Sequence, residues 1–143
     1  MGFLDKIFGK KSADYPPLES QTELAEQLKR VEPDLRAFVE TIDEDIEVVP
    51  ATDETFVFFG KPPKVFGLAW IREGQVKNMS EVFKEQKVAP HRAEAFAELL
   101  RSAYKGSADD ERYSTQLAGR TVVVTPSDGL RKQVHDIVEK IAA

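Results

Sequence analysis

The chain contains no cysteine. That absence excludes disulfides, thiolate catalysis and cysteine-ligated zinc or iron–sulfur centres. It agrees with a reducing compartment. Long apolar runs are also missing: nothing approaches the roughly 20 residues that cross a bilayer. The first residues carry no secretory h-region and no small-residue cleavage site. The expected location is cytoplasmic, with peripheral membrane attachment left open by the N-terminal segment described below.

Positive charge is not in surplus. Lys and Arg number 20 against 25 Asp and Glu, a net charge of −5. Phosphate backbones are bound by a surplus of cations, so a general nucleic-acid binder is disfavoured. Glycine loops are absent as well: there is no G-x-G-x-x-G, no Walker pattern and no G-x-S-x-G elbow. The nearest approach is Thr125-Pro126-Ser127-Asp128-Gly129, leading from a strand into a helix. Free helix N–H groups there could meet a phosphate. Asp128 would repel it, so capping is the expected role.

Histidine occurs twice, as His91 and His135. Neither belongs to a paired motif such as H-E-x-x-H. His91 follows Pro90 in a first helical turn, where the positive helix end disfavours an imidazolium. His135 lies beside the apolar stripe of the last helix, with Glu139 one turn away as a partner. A surface or boundary role is expected for both. The acidic stretch from Glu40 to Glu54 includes a D-x-D spacing at Asp43 and Asp45. It lacks the glycine-bearing loop of a calcium site, so it reads as an exposed helix end and loop. No metal, cofactor or catalytic residue is assigned.

What is present is a globular composition. The chain of 143 residues is 41% hydrophobic and 9% aromatic. A domain of this size buries roughly 70% of its unfolded surface and needs no covalent staple. Residues 1–12 stand apart. Phe3, Leu4, Ile7 and Phe8 share one face at helical spacing, with Lys6, Lys10 and Lys11 beside it. Such a face suits a partner groove or an anionic membrane surface. It could equally fray, or pack on its own domain, since three turns of isolated helix are marginal in water. Residues 13–20, with Pro16-Pro17, read as a linker, leaving 21–143 as one domain.

Within that domain Leu24, Leu28, Val31, Leu35, Phe38 and Ile42 recur at spacings of three and four, an amphipathic helix for core packing or a dimer seam. Pro33 interrupts it, which predicts two pieces or one kinked helix. Strands follow at Ile46–Val49, Thr55–Phe59, Val65–Arg72 and Gln75–Asn78, with Glu73-Gly74 as a tight turn. Ser80 is expected to cap a short helix. Pro90 opens a longer one, with Phe96, Leu99, Leu100 and Tyr104 on one face and Gly106 as a left-handed C-terminal cap. A second hairpin spans Tyr113–Leu117 and Thr121–Thr125. Ser127 caps a last helix with the stripe Leu130, Val134, Ile137, Val138 and Ile141.

The fold class is therefore α+β, a mainly antiparallel sheet of five or six strands with helices packed on one face, in the order α-β(3-4)-α-β(2)-α. In element order this resembles type III secretion chaperones, which are dimeric adaptors; a fourth strand before the middle helix departs from that order. Lys61, Lys64, Arg72, Lys77, Lys84, Lys87 and Arg92 surround Phe66 and Trp70. Interleaved cations and aromatics can bind single strands, but strand alternation puts Phe66, Leu68 and Trp70 on one core face. The expected function is a non-enzymatic protein-interaction or adaptor domain whose docking face is Phe3, Leu4, Ile7 and Phe8. The alternatives are a small-ligand binder or enzyme with an unrecognised site, and a homodimeric structural subunit.

Overall fold

A computed structural model of the chain describes residues 15–19, 22–51 and 53–142. The docking face Phe3, Leu4, Ile7 and Phe8 lies outside these residues. The first element is helix α1 (Glu23–Val39), capped by Thr22, whose hydroxyl accepts from the Ala25 amide at 3.2 Å. It runs continuously through Pro33 rather than dividing there. Pro33 is exposed, so the hydrogen bond it deletes faces water instead of the core.

Four strands follow: β1 (Ile46–Val49), β2 (Glu54–Lys61), β3 (Val65–Arg72) and β4 (Gln75–Asn78). Glu73 and Gly74 both have positive φ, as a two-residue mirror-image turn requires. Helix α2 (Met79–Glu85) is capped by Asn78 and not by Ser80; the Asn78 carboxamide oxygen accepts from the Ser80 amide at 2.9 Å. Helix α3 (Pro90–Gly106) begins on Pro90 as expected. Gly106 stays within the helix, and Ser107 at φ −94 takes the cap instead of a left-handed glycine. Strands β5 (Tyr113–Leu117) and β6 (Arg120–Val124) form a hairpin with left-handed Ala118 and Gly119 between them. Ser127 opens α4 (Asp128–Ala142), its hydroxyl accepting from the Leu130 amide at 3.1 Å.

The six strands make one sheet in the order β4-β3-β2-β1-β6-β5. Every neighbouring pair is antiparallel except β1 with β6. The α+β class and the order of elements match the sequence reading. The placement of the helices on one face does not. One core joins Leu28, Leu35 and Val39 of α1 to Ile46, Val48, Val57, Ala69 and Ile71. The other joins Phe96, Leu100 and Tyr104 of α3 and the whole α4 stripe to Val49, Phe56, Phe58, Leu68 and Trp70. Helices thus cover both faces. The cause is visible in β1, all four of whose residues are buried, and in β2, whose first five are. A strand with apolar residues in both alternating sets needs a cover on each side. The α1 stripe is accordingly spent on packing, with Leu24, Val31, Phe38 and Ile42 half-buried beside its core.

Close packing extends to a glycine. Phe59 opposes Gly67 across the β2–β3 ladder, and a Cβ on Gly67 would stand 2.2 Å from the Phe59 ring. The ring lies over the bare backbone and meets Phe38 edge-on at 5.6 Å. Leu99 departs from the expected α3 face and is 46% exposed. It sits about 100° round the helix from Leu100, on the flank of the buried stripe.

Residues 15–19 lie along the outer edge of β5. Pro17 bridges Ser114 in parallel, the Ser114 amide donates to Pro16 O at 2.8 Å, and the Leu18 amide donates to Ser114 O at 2.8 Å. Leu18 packs on the α1 core. The stretch read as linker therefore covers part of an otherwise open sheet edge.

Candidate functional site

Because β1 and β6 are parallel and their outer neighbours antiparallel, one end of the sheet gathers the C-termini of β1, β3 and β6 and the N-termini of β2 and β5. Two polar clusters form at or near this end on the α3–α4 face, one buried and one half-open.

The buried cluster centres on Glu47, the one charge in β1. Its Oε1 accepts from the Tyr104 hydroxyl at 2.6 Å. Its Oε2 accepts from Arg112 Nε at 3.0 Å and from the Thr125 hydroxyl at 2.6 Å. Arg112 also donates to Ser107 O at 2.8 Å and to Ser107 Oγ at 2.9 Å, and its guanidinium lies 5.4 Å from the centre of the Tyr104 ring. Burial is the largest influence on Arg112 and opposes its charge, but the Glu47 carboxylate, Tyr104 and Tyr15 together outweigh it and hold Arg112 above its ordinary pKa. Burial, then the Glu47 charge, pushes the Tyr104 phenol well above its usual range, so it stays a neutral donor. Sequence reasoning placed Glu47 in an exposed acidic stretch; the structure buries Glu47 and Glu54 and leaves Asp43, Glu44, Asp45 and Asp53 exposed. Arg120 clasps the end of that stretch, donating to Val39 O and Asp43 O at 3.3 Å and also to the carbonyls of Ile42 and Glu44.

The half-open cluster lines a hollow of about 810 Å³ between the strand ends, α1 and α4. Glu54 opens β2 and is buried. One of its oxygens meets His135 Nδ1, and the other accepts from Arg72 Nε at 3.0 Å and Nη2 at 2.5 Å. Arg72 Nη2 also donates to Glu139 Oε1 at 2.9 Å. The Glu54 hydrogen bond, then that of Glu139, holds Arg72 above its ordinary pKa. The pairing of His135 with Glu139 expected from helical spacing is a looser contact, 3.9 Å from Nε2. Glu54 is the tighter partner, and no local pattern announces it, because it arrives from a strand 81 residues away.

This hollow sets His135 beside Glu54 as well as Glu139, where the sequence reading expected Glu139 alone. His135 keeps 40% of its side chain exposed. His91 is exposed on the first turn of α3 and joins neither cluster. Among the described residues no group of three or more His, Asp or Glu is arranged to hold a metal ion. A smaller hollow of about 360 Å³ lies at the start of α4, lined by Asp110, Glu111, Ser127 and Asp128. Its carboxylates disfavour the phosphate considered for this turn. The basic central residues do not form a stacking platform. Trp70 is in the core, Phe66 is half-buried against Phe58 at 5.8 Å, and Arg72 is committed to Glu54. Among the described residues no helix is long and apolar enough to cross a membrane.

The fold and its two clusters define a six-stranded, mainly antiparallel α+β domain with helices on both sheet faces. Comparison with protein-family models, curated proteins and solved structures finds no match for the chain.

Proposed function

We propose that the chain is a non-enzymatic interaction domain, a rigid α+β body that carries the amphipathic face Phe3, Leu4, Ile7 and Phe8 as its docking element. What supports this reading is that the polar groups of both clusters, His135 Nε2 apart, are spent on one another. A reactive centre needs a base, an acid or an oxyanion donor with unspent valence. Glu47 instead accepts three hydrogen bonds, and Glu54 binds His135 and Arg72. Among the described residues one buried side-chain polar atom lacks a partner, Thr55 Oγ1. By strand alternation it points to the α1 side, away from both clusters. The test is a chain with Phe3, Leu4, Ile7 and Phe8 all changed to Asp. It should melt like the parent and lose the proteins or vesicles that the parent retains. Undiminished retention overturns the reading.

A second reading, a small-ligand binder, is favoured by one observation. His135 lines the larger hollow, and the nearest Glu139 oxygen, 3.9 Å from its Nε2, is too far to accept a hydrogen bond from it. Ligand-induced shifts of the His135 ring signals in NMR would support it; a panel of small amines, carboxylates and sugars that leaves those signals in place would remove it.

A further inference from the structure

The two edges of the sheet are guarded differently. β4, at one edge, is four residues long and carries exposed Lys77, a short charged strand that discourages pairing. β5, at the other, has neither a charge nor a proline, so its own sequence does not guard it. Residues 15–19 cover it instead. Three hydrogen bonds tie this segment to β5, and each uses Ser114. The Ser114 amide donates to Pro16 O and its carbonyl accepts from the Leu18 amide, both at 2.8 Å. The Ser114 hydroxyl donates to Tyr15 O at 3.0 Å. Leu18 adds an apolar contact with the core that contains Leu117, Val122 and Val124.

The cover is incomplete. The two-residue turn at Ala118-Gly119 closes on the pair Leu117 and Arg120, so Tyr113, Thr115 and Leu117 direct their backbone groups to β6. Ser114 and Gln116 direct theirs outward. Parallel pairing that continued past Ser114 would carry the Gln116 amide to Leu18 O, and that bond is not made. In the other direction Pro16 has no N–H with which to extend the ladder. Pro16, Pro17 and Glu19 are exposed, and Tyr15 and Leu18 are half-buried, so no residue of the segment is fully enclosed. A segment with few buried apolar contacts and few backbone bonds opens at low free energy. Tyr15 also helps to raise the Arg112 pKa, which sets the start of the segment near the buried cluster.

We propose that the outer edge of β5 is a strand-addition site, with residues 15–19 as its resident cover and an extended peptide of another protein as the ligand that displaces them. The ligand runs parallel to β5 and seats an apolar side chain where Leu18 lies. It offers an N–H where Pro16 has none and reaches far enough to accept from the Gln116 amide. Main-chain bonds supply affinity, and the Leu18 seat supplies selectivity. The cover is tethered and so competes at high effective concentration; only a ligand that makes the additional bonds displaces it. Residues 15–19 of a second copy bring the same prolines and gain nothing over the resident ones, so the ligand is a different sequence. The site is independent of Phe3, Leu4, Ile7 and Phe8 and stands or falls apart from their docking role.

The probe is a synthetic peptide that copies residues 13–22 with Pro16→Val and Pro17→Val. It is added to the full-length, ¹⁵N-labelled chain carrying Leu18→Asp, which loosens the cover. It should shift the amides of Ser114, Gln116 and Leu117. The parent chain should bind it at least about tenfold more weakly, because its own cover competes. The same peptide with Leu18→Asp should not bind. The parent alone gives a second measurement that needs no variant. Its Ser114 amide should exchange with deuterium about a hundredfold faster than the Thr115 amide, which bonds to β6. Equal protection of Ser114 and Thr115 overturns the proposal. So does a peptide that leaves the folded variant unshifted, shifts other amides, or binds parent and variant equally. Sedimentation of the Leu18→Asp chain as a dimer overturns it too, since a second copy then fills the edge.

Discussion

The two polar clusters use the same chemistry in opposite surroundings. Around Glu47 a carboxylate, an arginine, a tyrosine and a threonine are closed off, with the Arg112 side chain 2% and the Glu47 side chain 10% exposed. Around Glu54 a carboxylate, an arginine and a histidine meet solvent, with Arg72 and His135 each 40% exposed. In the first, every lone pair lost to water must be replaced by the protein, which is why three donors converge on one carboxylate. In the second, water supplies what the protein omits, so the contacts can be fewer and looser. The buried cluster ties β1, α3 and the Arg112 loop together; the open one ties α4 to the ends of β2 and β3 and leaves a hollow beside them. Structural specificity is concentrated in the first and surface chemistry in the second.

That contrast is easiest to break at Arg112. Arg112→Met strands a buried carboxylate and should cost about 3–5 kcal/mol. At several degrees per kcal/mol this lowers the melting temperature by about 10 °C or more, readable by circular dichroism. Adding Glu47→Leu to that variant should recover a large part of the loss, because the unpaired charge goes with it. A double variant as unstable as the sum of the singles would show that the pair does not act as a unit.

Tyr104 sharpens the comparison through pH. Its phenol is raised above the ordinary value of 10.0 by burial and by Glu47. The folded state therefore holds the proton that the unfolded chain releases from about pH 10 upward. Stabilisation by Tyr104 is complete below that pH and declines above it. Urea midpoints measured from pH 8 to 11 should fall more steeply in the parent than in Tyr104→Phe. Parallel curves would contradict the assigned burial.

The smallest effect belongs to the open cluster. His135→Ala leaves Glu54 with Arg72 and should cost about 1 kcal/mol or less. Glu139→Gln should cost less still, with an effect that shrinks as salt is added. A loss at His135 as large as at Arg112 would mean that the hollow is structural.

Most of the architecture was legible from periodicity. The α4 stripe, the Glu73-Gly74 turn and the Ser127 cap each follow from a local rule, and each is observed. The second covered face was signalled too, by apolar residues in both alternating sets of β1 and by the unbroken apolar run Phe56–Phe59 of β2, which demand burial on both sides. Glu47 carried a readable hint, a lone charge between Ile46, Val48 and Val49. Its partners gave none. Arg112 lies 65 residues away and Glu54 meets His135 across 81. Such contacts depend on which strand ends share an edge, and the parallel β1–β6 pairing that decides this has no local pattern. The cap at Asn78 was missed because Asn and Ser are both good N-caps two residues apart.

The central claim is that the body is a scaffold and the docking element is carried ahead of it. Removing residues 1–12 tests this most directly, with melting and partner or vesicle retention measured on the same preparations. The account predicts a melting temperature within about 2 °C of the parent, as for changes outside the core, together with loss of retention. A truncated chain that retains the same partners as strongly as the parent would contradict it.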